Sequence, residues 1–532
     1  MIKVLDIVFK GTRTRLLLVC FILLSIATGF ILLFANDILG QVFNDHVLVQ
    51  NFDGLAHMLI LTIGLFVCVF ALNILIAYLR ANFQYNSLSR LSGHYIARLL
   101  HAKSSYFINN PSAELFARLN EATFSVSFLL VSLLSMVSYG IIFIFYAIII
   151  FRIDTFAGIF SILVTPIYFF ANGWAGGKLS DLMHEKLAAD GEMSLVTQES
   201  FENVNNIKTK NAYTFFIKRS LQVLNKIKKI SVHESTLEGY IQGITTLLRI
   251  ITPLLVIFAV MQFSSHFDGS AAQLILLYIN IPLFLVNFAN LFVQYIEYKA
   301  AKPFIAQLQE YGNVEIENEA GEEIKSFECL RTDNVSVVFD DGRTINLPNF
   351  EVKKSEKVMI TGESGVGKST VFNILMGIIP DYKGDIYINN INHRDISLSS
   401  LRKIFGITFQ HTNAITLDLH QNITLGATIT SDNFEKYIRL TAQEYQQDIK
   451  GTAVLSNKTL SGGEKSRLGL SQSLVTNPEL MLLDEVFSNI DEALESKILA
   501  DLFNEYPNRT FICISHRNST KSFFDKIVDF NS

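Results

Sequence analysis

Long apolar runs alternate with long polar, basic stretches over the first 300 residues, and short apolar runs punctuated by turns fill the remainder. A helix needs about 20 apolar residues to cross a hydrocarbon core roughly 30 Å thick. Six segments answer that description: Leu16 to Ala35, Leu55 to Leu79, Phe128 to Phe151, Thr155 to Asn172, Gly239 to Phe263 and Leu274 to Tyr295. The fourth is short and holds Pro166, the fifth holds Arg249 and Pro253, and the sixth holds Pro282. The first run is too long for the apolar region of a cleavable signal and no small-residue cleavage site follows it, so it reads as a retained span.

The connections differ in charge. Asn36 to Gly54 and Ser264 to Ala272 contain no Lys or Arg, whereas Arg80 to Ser125 contains five and Trp174 to Glu238 contains nine. Basic connections stay in the cytoplasm, which predicts that both termini and both long loops lie inside. Arg152, in the turn between the third and fourth spans, is the misfit. The long loops have helix-forming composition and few breakers, so they are expected to continue the spans as helices, with tips at Pro111 to Asn120 and Glu199 to Lys208.

In the sixth span Asn280, Asn287, Asn290, Gln294 and Glu297 fall within about one quadrant of a helix. Polar groups facing lipid are costly, so this face is expected to meet protein or a water-filled cavity. Helix–helix hydrogen bonding and the lining of a substrate path both account for it. Arg249 poses the same choice, between pairing with a carboxylate near a span end and binding an anionic substrate.

Beyond Lys325 the pattern turns to short β-rich runs. Val358-Met359-Ile360 leads into Gly362-Glu363-Ser364-Gly365-Val366-Gly367-Lys368-Ser369-Thr370, and helical character follows. Strand, glycine loop and helix in that order are the context of a phosphate-binding loop. Its backbone N–H groups and helix start suit an anion, Lys368 should reach the β- and γ-phosphates, and Ser369 should place its hydroxyl on Mg²⁺. Leu480 to Asp484 reads as a fully buried strand ending in two carboxylates: Asp484 for Mg²⁺, and Glu485 to orient or deprotonate water. Ser461-Gly462-Gly463-Glu464 opens another helix and is a second anion-binding start. One triphosphate does not need both from one subunit, and two copies set head to tail would use each.

In this order the motifs resemble those of ABC transporters, and the six spans resemble exporter half-transporters fused to one ATPase domain. The resemblance covers almost the whole chain. It identifies Gly362 to Ser369 with Walker A, Leu460 to Glu464 with the signature, Leu480 to Asp484 with Walker B, Glu485 with the catalytic carboxylate, and Ser488-Asn489-Ile490-Asp491 with the D-loop. It further implies that Gln410 senses the γ-phosphate and Mg²⁺, that His516 contacts the γ-phosphate, that Phe339 stacks on adenine, and that the loop tips are coupling helices. Two departures stand out. Ser456 and Lys458 replace the usual acidic residue and glycine of the exporter's pre-signature loop, and the chain stops at Ser532, soon after His516, where the family commonly continues. About fifteen residues precede the first span, so no N-terminal peptidase domain is expected.

The expected organisation is therefore an α-helical transmembrane domain over residues 1–310, a linker over 311–325, and an α/β P-loop NTPase cassette over 326–532. The expected function is ATP- and Mg²⁺-dependent export of an amphipathic peptide, lipid or drug-like molecule across the cytoplasmic membrane, in a bacterial setting. The partner would be a second half-transporter, with a homodimer favoured over a heterodimer because the hydrolytic set is intact. An importer of metal chelates on the same fold and an ATP-gated regulatory or channel protein are the alternatives. A net charge of −5 argues for no nucleic acid. Cys20, Cys68, Cys329 and Cys513 show no C-x-x-C spacing and are expected to be small buried hydrophobes.

Overall fold

A computed structural model describes residues 2–9, 11–47, 53–110, 112–264, 270–339, 342–443, 454–455 and 460–531. The pre-signature residues Ser456 and Lys458 lie outside that set. The chain divides into two compact units, Met1–His101 with Asn110–Val314, and Ala102–Asn109 with Glu315–Ser532.

The first unit is helical. α1 (Ile2–Phe9) precedes α2 (Thr12–Gln41), which ends in a wide turn over Val42–Val47, and α3 (Leu55–Leu100) follows. A short α4 (Ser104–Asn109) belongs to the second unit. α5 (Ser112–Ile153), α6 (Thr155–Glu202), α7 (Val204–Thr209), α8 (Tyr213–Phe263) and α9 (Ala271–Asn313) complete the helical set. Among the described residues five helices are long and apolar enough to span a membrane, and α6 contributes the shorter apolar stretch Thr155–Ile167. At 1.5 Å per residue the 46 residues of α3 reach about 69 Å, so the polar halves continue the spans as single helices.

α5 and α6 are separated by one residue. The Asp154 carboxylate accepts from Ala157 N at 2.7 Å, capping α6, and from Ser264 Oγ at 2.6 Å, which ties the turn to the end of α8. Arg152, the misfit of the charge pattern, pairs with Asp37 at 3.2 Å, so its charge is met by a neighbouring helix. The polar lengths of α6 and α8 are clasped by Lys186–Glu234 at 2.6 Å and Lys226–Glu192 at 3.0 Å.

Two expectations are corrected here. The short helix between the second and third spans is Ser104–Asn109, and Ser112 to Asn120 are instead the first turns of α5, where Leu115 and Leu119 are buried one turn apart. Glu199 to Lys208 straddles the end of α6 and the start of α7. Of the four cysteines only Cys513 is buried, and Cys68 faces outward from α3.

The second unit carries two sheets. β1 (Cys329–Val338) pairs antiparallel with β2 (Thr344–Asn346), β3 (Glu351–Lys353) and β5 (Lys383–Ile388), and β6 (Ile391–Asn392) extends β5. The other sheet is wholly parallel, in the order β10-β4-β9-β8-β7, with β4 at Lys357–Thr361, β7 at Phe405–Thr408, β8 at Leu480–Asp484, β9 at Thr510–Ile514 and β10 at Lys526–Asp529. β8 and β9 are buried at every position, as strands covered on both faces must be. Helices α10 (Lys368–Leu375), α11 (Leu398–Ile404), α12 (Leu419–Thr424), α13 (Ser431–Leu440), α14 (Gly462–Val475) and α15 (Glu492–Glu505) fill the connections.

Candidate functional site: a phosphate cradle at the edge of the parallel sheet

Ligands of open α/β sheets bind beyond the carboxyl ends of the strands. Four adjacent strands of the parallel sheet deliver the candidate chemistry to that edge. β4 runs into the glycine loop, β7 leads to Gln410, β8 ends in Asp484 and Glu485, and β9 leads to His516.

Gly367 is the fixed point of the loop. Its φ is +106°, and a Cβ there would run into the Ile345 and Leu347 side chains. Only glycine lets the loop close against β2 in this conformation. Gly367→Ala is expected to lower the melting temperature and to weaken binding of a fluorescent ATP analogue by more than about tenfold, since misplacing cradle donors loses several charge-assisted bonds. Unchanged analogue affinity would refute this role.

The Lys368 ammonium donates to the carbonyls of Gly362 at 2.9 Å and Glu363 at 2.7 Å, so it is folded over the cradle. Burial pushes its pKa down, and the Glu485 and Asp484 carboxylates oppose that shift. Ser369 Oγ donates to Asp484 Oδ1 at 2.8 Å, and burial holds the Asp484 carboxyl above the ordinary aspartate range. A hydroxyl and a carboxylate side by side are hard oxygen donors suited to Mg²⁺. Among the described residues no group of three His, Cys, Asp or Glu forms a metal cluster. A magnesium ion would thus complete its shell from phosphate and water, as Mg²⁺ commonly does.

Glu485 is the hub. Its backbone adopts φ +47°, a left-handed conformation that a side chain rarely takes and that recurs at functional positions. Its carboxylate accepts from Gln410 Nε2 at 2.9 Å and meets His516 Nε2 at 3.1 Å. Gln410, Glu485 and His516 thus form one hydrogen-bonded group beside the Ser369–Asp484 pair, and the Lys368 ammonium acts electrostatically on both carboxylates.

Other candidates sit elsewhere. Ser461 caps α14 by accepting from Glu464 N, and the Glu464 carboxylate accepts from Ser461 N at 2.7 Å. Gly462 and Gly463 back directly onto Asn489, and an added Cβ at Gly463 would stand 2.9 Å from its carbonyl oxygen. The signature turn and the Ser488–Asp491 loop are therefore packed as one surface. Phe339 lies half-buried where β1 turns towards β2, its carbonyl accepting from Gly342 N at 2.9 Å. In the helical unit the five residues considered for a substrate path do not converge. Asn280 is buried and donates to Asn36 Oδ1 at 2.7 Å, a helix–helix bond between α9 and α2. Asn287 donates to its own helix at Leu283 O, Arg249 is exposed on α8, and Asn290 and Gln294 are half-buried. None of the five lines either of the cavities formed by Glu121, Asp190 and their neighbours.

Two residues escaped the motif reading. Arg517, next to His516, donates to Glu495 Oε2 at 2.6 Å and to the Ile490 carbonyl at 2.7 Å. Glu495 is fully buried on α15. The pair pins the Ser488–Asp491 loop beside the site, and an acidic residue four positions past Asp491 was its only trace in the sequence.

Family profiles match over most of the chain, the ABC transporter transmembrane region over residues 18–287 and the ABC transporter profile over 345–488. The chain belongs to the ABC transporter family. A mitochondrial iron-sulfur clusters transporter ABCB7 of Danio rerio is 30% identical over 213 residues, which is 38% of this chain and 28% of that protein. The beta-(1→2)glucan export ATP-binding/permease protein NdvA of Bartonella quintana is 31% identical over 238 residues, 42% of this chain and 40% of its own length. The alignments therefore span less than half of these relatives. A bacterial Atm1-family ABC exporter with ATP bound superposes with a TM-score of 0.83 at 20% identity, covering 97% of this chain and 93% of that one. This ABC transporter has the fold of that exporter, a multi-span helical membrane unit joined in one chain to an ATPase unit.

Proposed function

We infer that this ABC transporter is a half-transporter that exports an amphipathic substrate, driven by ATP hydrolysis in a dimer of two such chains. The observation that carries the reading is the Glu485 hub. A carboxylate held by Gln410 and His516, next to the Ser369–Asp484 pair, is the arrangement a water-activating base requires.

ATP would lie along Gly362 to Thr370, with the Lys368 ammonium leaving the loop carbonyls for phosphate oxygens. Ser369 and Asp484 would hold a magnesium ion, which would supply charge neutralisation to the triphosphate. Glu485 takes the proton from the attacking water as the new oxygen–phosphorus bond forms and the bond to ADP breaks. His516 and Gln410 hold that carboxylate in place. Ser461, Gly462 and Gly463 of a second chain would complete the phosphate contacts, since a capped helix start with two glycines offers backbone N–H groups to an anion. Phe339 is the candidate adenine platform.

Coupling is read from α4. This segment between the second and third spans groups with the ATPase unit, where Lys103 pairs with Glu315 at 2.7 Å and Ala102 bridges Ile316. The basic connections support a cytoplasmic ATPase unit. The full chain in nanodiscs is expected to hydrolyse Mg–ATP, and inside-out vesicles carrying it to accumulate an amphipathic dye with ATP. Uptake only by right-side-out vesicles energised from within would replace export with import. ATP binding with no turnover would replace both with gating.

A further inference from the structure

We propose that Asn531, two residues past the end of β10, is a positioning residue for the phosphate loop: it fixes the plane of the Gly362–Glu363 peptide and, through it, the place of the Lys368 ammonium. The proposal deepens the ATPase reading and rests on it for the effect on turnover only.

Strand pairing brings the two segments together. β10 lies parallel to β4 with Asp529 opposite Thr361, the last residue of β4, so both segments leave the sheet at one edge. Phe530 N donates to the Thr361 carbonyl at 2.9 Å and adds one more rung. Phe530 is buried, and its ring packs on Phe350 with centroids 6.0 Å apart. Asn531 N donates to Asp529 Oδ1 at 3.0 Å, a local turn of the kind an Asp side chain favours. The first glycine of the loop closes on this tail. A Cβ at Gly362 would stand 3.1 Å from Phe530 Cβ and 3.5 Å from Asn531 Oδ1.

One peptide unit of the loop is gripped at both ends. Glu363 N donates to Asn531 Oδ1 at 2.8 Å, and the Gly362 carbonyl of the same unit accepts from Lys368 Nζ at 2.9 Å. In a planar trans peptide the C=O and N–H point opposite ways. Holding the N–H on Asn531 therefore aims the carbonyl at Lys368. An acceptor on the N–H also polarises the amide and strengthens its carbonyl as an acceptor. Lys368 donates to the next carbonyl, of Glu363, at 2.7 Å, so two consecutive peptides set the ammonium and Asn531 orients the first. The bond engages the loop ahead of the α10 start at Gly367, where an anion is favoured, so a nucleotide leaves it in place. Without Asn531 the first peptide is free to rotate, and nucleotide binding must order it. Glu485, Gln410 and His516 follow other strands, so the chemical step is left alone.

The test compares Asn531→Leu, which keeps the size of the side chain without its acceptor, with Asn531→Asp, which keeps an acceptor oxygen. Both are made in the full chain in nanodiscs. In Asn531→Leu the KM for Mg–ATP and the Kd of a fluorescent ATP analogue are each expected to rise about fivefold, the scale of one net hydrogen bond, with kcat unchanged. Hydrogen exchange read by mass spectrometry should become faster in the peptide spanning Thr361 to Gly365. Asn531→Asp should restore parental protection there and bring the affinity back towards the parent. The melting temperature should not move, because Asn531 is exposed. Parental exchange and affinity in Asn531→Leu overturn the proposal. So does a loss of affinity that tracks a lowered melting temperature and that Asn531→Asp leaves uncorrected, which makes the residue a packing contact. A fall in kcat at parental KM overturns it as well. The ATPase reading is judged separately. With no turnover in the parent chain that reading fails, and the role of Asn531 is still decided by exchange and analogue binding, which need no hydrolysis.

Discussion

Glu485→Gln is expected to lower ATP turnover by at least about a hundredfold, the lower bound of what a positioned general base contributes. The substitution keeps the size of the side chain and an acceptor oxygen for Gln410, and it removes the basicity. Nucleotide affinity should therefore persist while hydrolysis stops. Two chains closed over uncleaved ATP should accumulate, visible as a dimer of ATPase units retaining labelled nucleotide through gel filtration. The geometry makes a second demand. Glu485 sits at φ +47°, a strain of about 1–3 kcal/mol that only surrounding contacts maintain. Bonds from Glu485 N to the Ile514 carbonyl at 3.2 Å and from Ser488 N to the Glu485 carbonyl at 3.0 Å hold the backbone, and Gln410 and His516 hold the carboxylate. His516→Ala should accordingly lower turnover with a milder effect on binding, because the base loses one of its two supports. A Glu485→Gln chain that hydrolyses ATP at the parental rate would remove this carboxylate from the mechanism.

The parts of this molecule that were legible in advance are those in which local sequence decides local structure. Apolar runs of membrane length predicted the helices, and the phosphate loop, Gln410, Asp484-Glu485 and His516, picked out in the sequence, come together at the sheet edge, while the signature packs elsewhere on Asn489. That meeting follows from parallel strands ending at one edge, so strand order alone brings distant residues together. The failures have equally physical causes. The polar–apolar pattern puts a short helix at Pro111 to Asn120, yet Leu115 and Leu119 bury one turn apart and commit Ser112 to Asn120 to α5. For Asn280 helix–helix bonding and a substrate path were both open; it bonds Asn36, which lies 244 positions away, and no periodicity reveals which partner such a residue takes. The stripes Glu121 to Phe128 and Glu297 to Phe304 carry ordinary helical spacing. What sets them apart is that they face one another across a cavity, which is a tertiary fact.

Arg517→Met is expected to destabilise the ATPase unit by about 3–5 kcal/mol, because it strands the fully buried Glu495 carboxylate without its partner. Burial already holds the Glu495 carboxyl above the usual glutamate range, and the Arg517 guanidinium opposes this. Without Arg517 the folded-state value rises further. A raised carboxyl favours the folded chain at low pH and disfavours it as pH climbs from the unfolded value through the folded one. The deficit of the variant should therefore shrink on acidification, read as converging melting temperatures. Glu495→Gln added to Arg517→Met removes the stranded charge and should recover part of the loss at neutral pH. Function separates the pair's two tasks. Arg517 also donates to the Ile490 carbonyl at 2.7 Å, in the loop against which Gly462 and Gly463 pack. Turnover should thus stay depressed in the double variant even where stability returns, since nothing then anchors that loop beside His516. Arg517→Lys, a single point charge lacking the planar fork, should restore the ion pair with Glu495 more fully than the anchoring of the loop. A double variant that regained both stability and turnover would show that the pair serves packing alone.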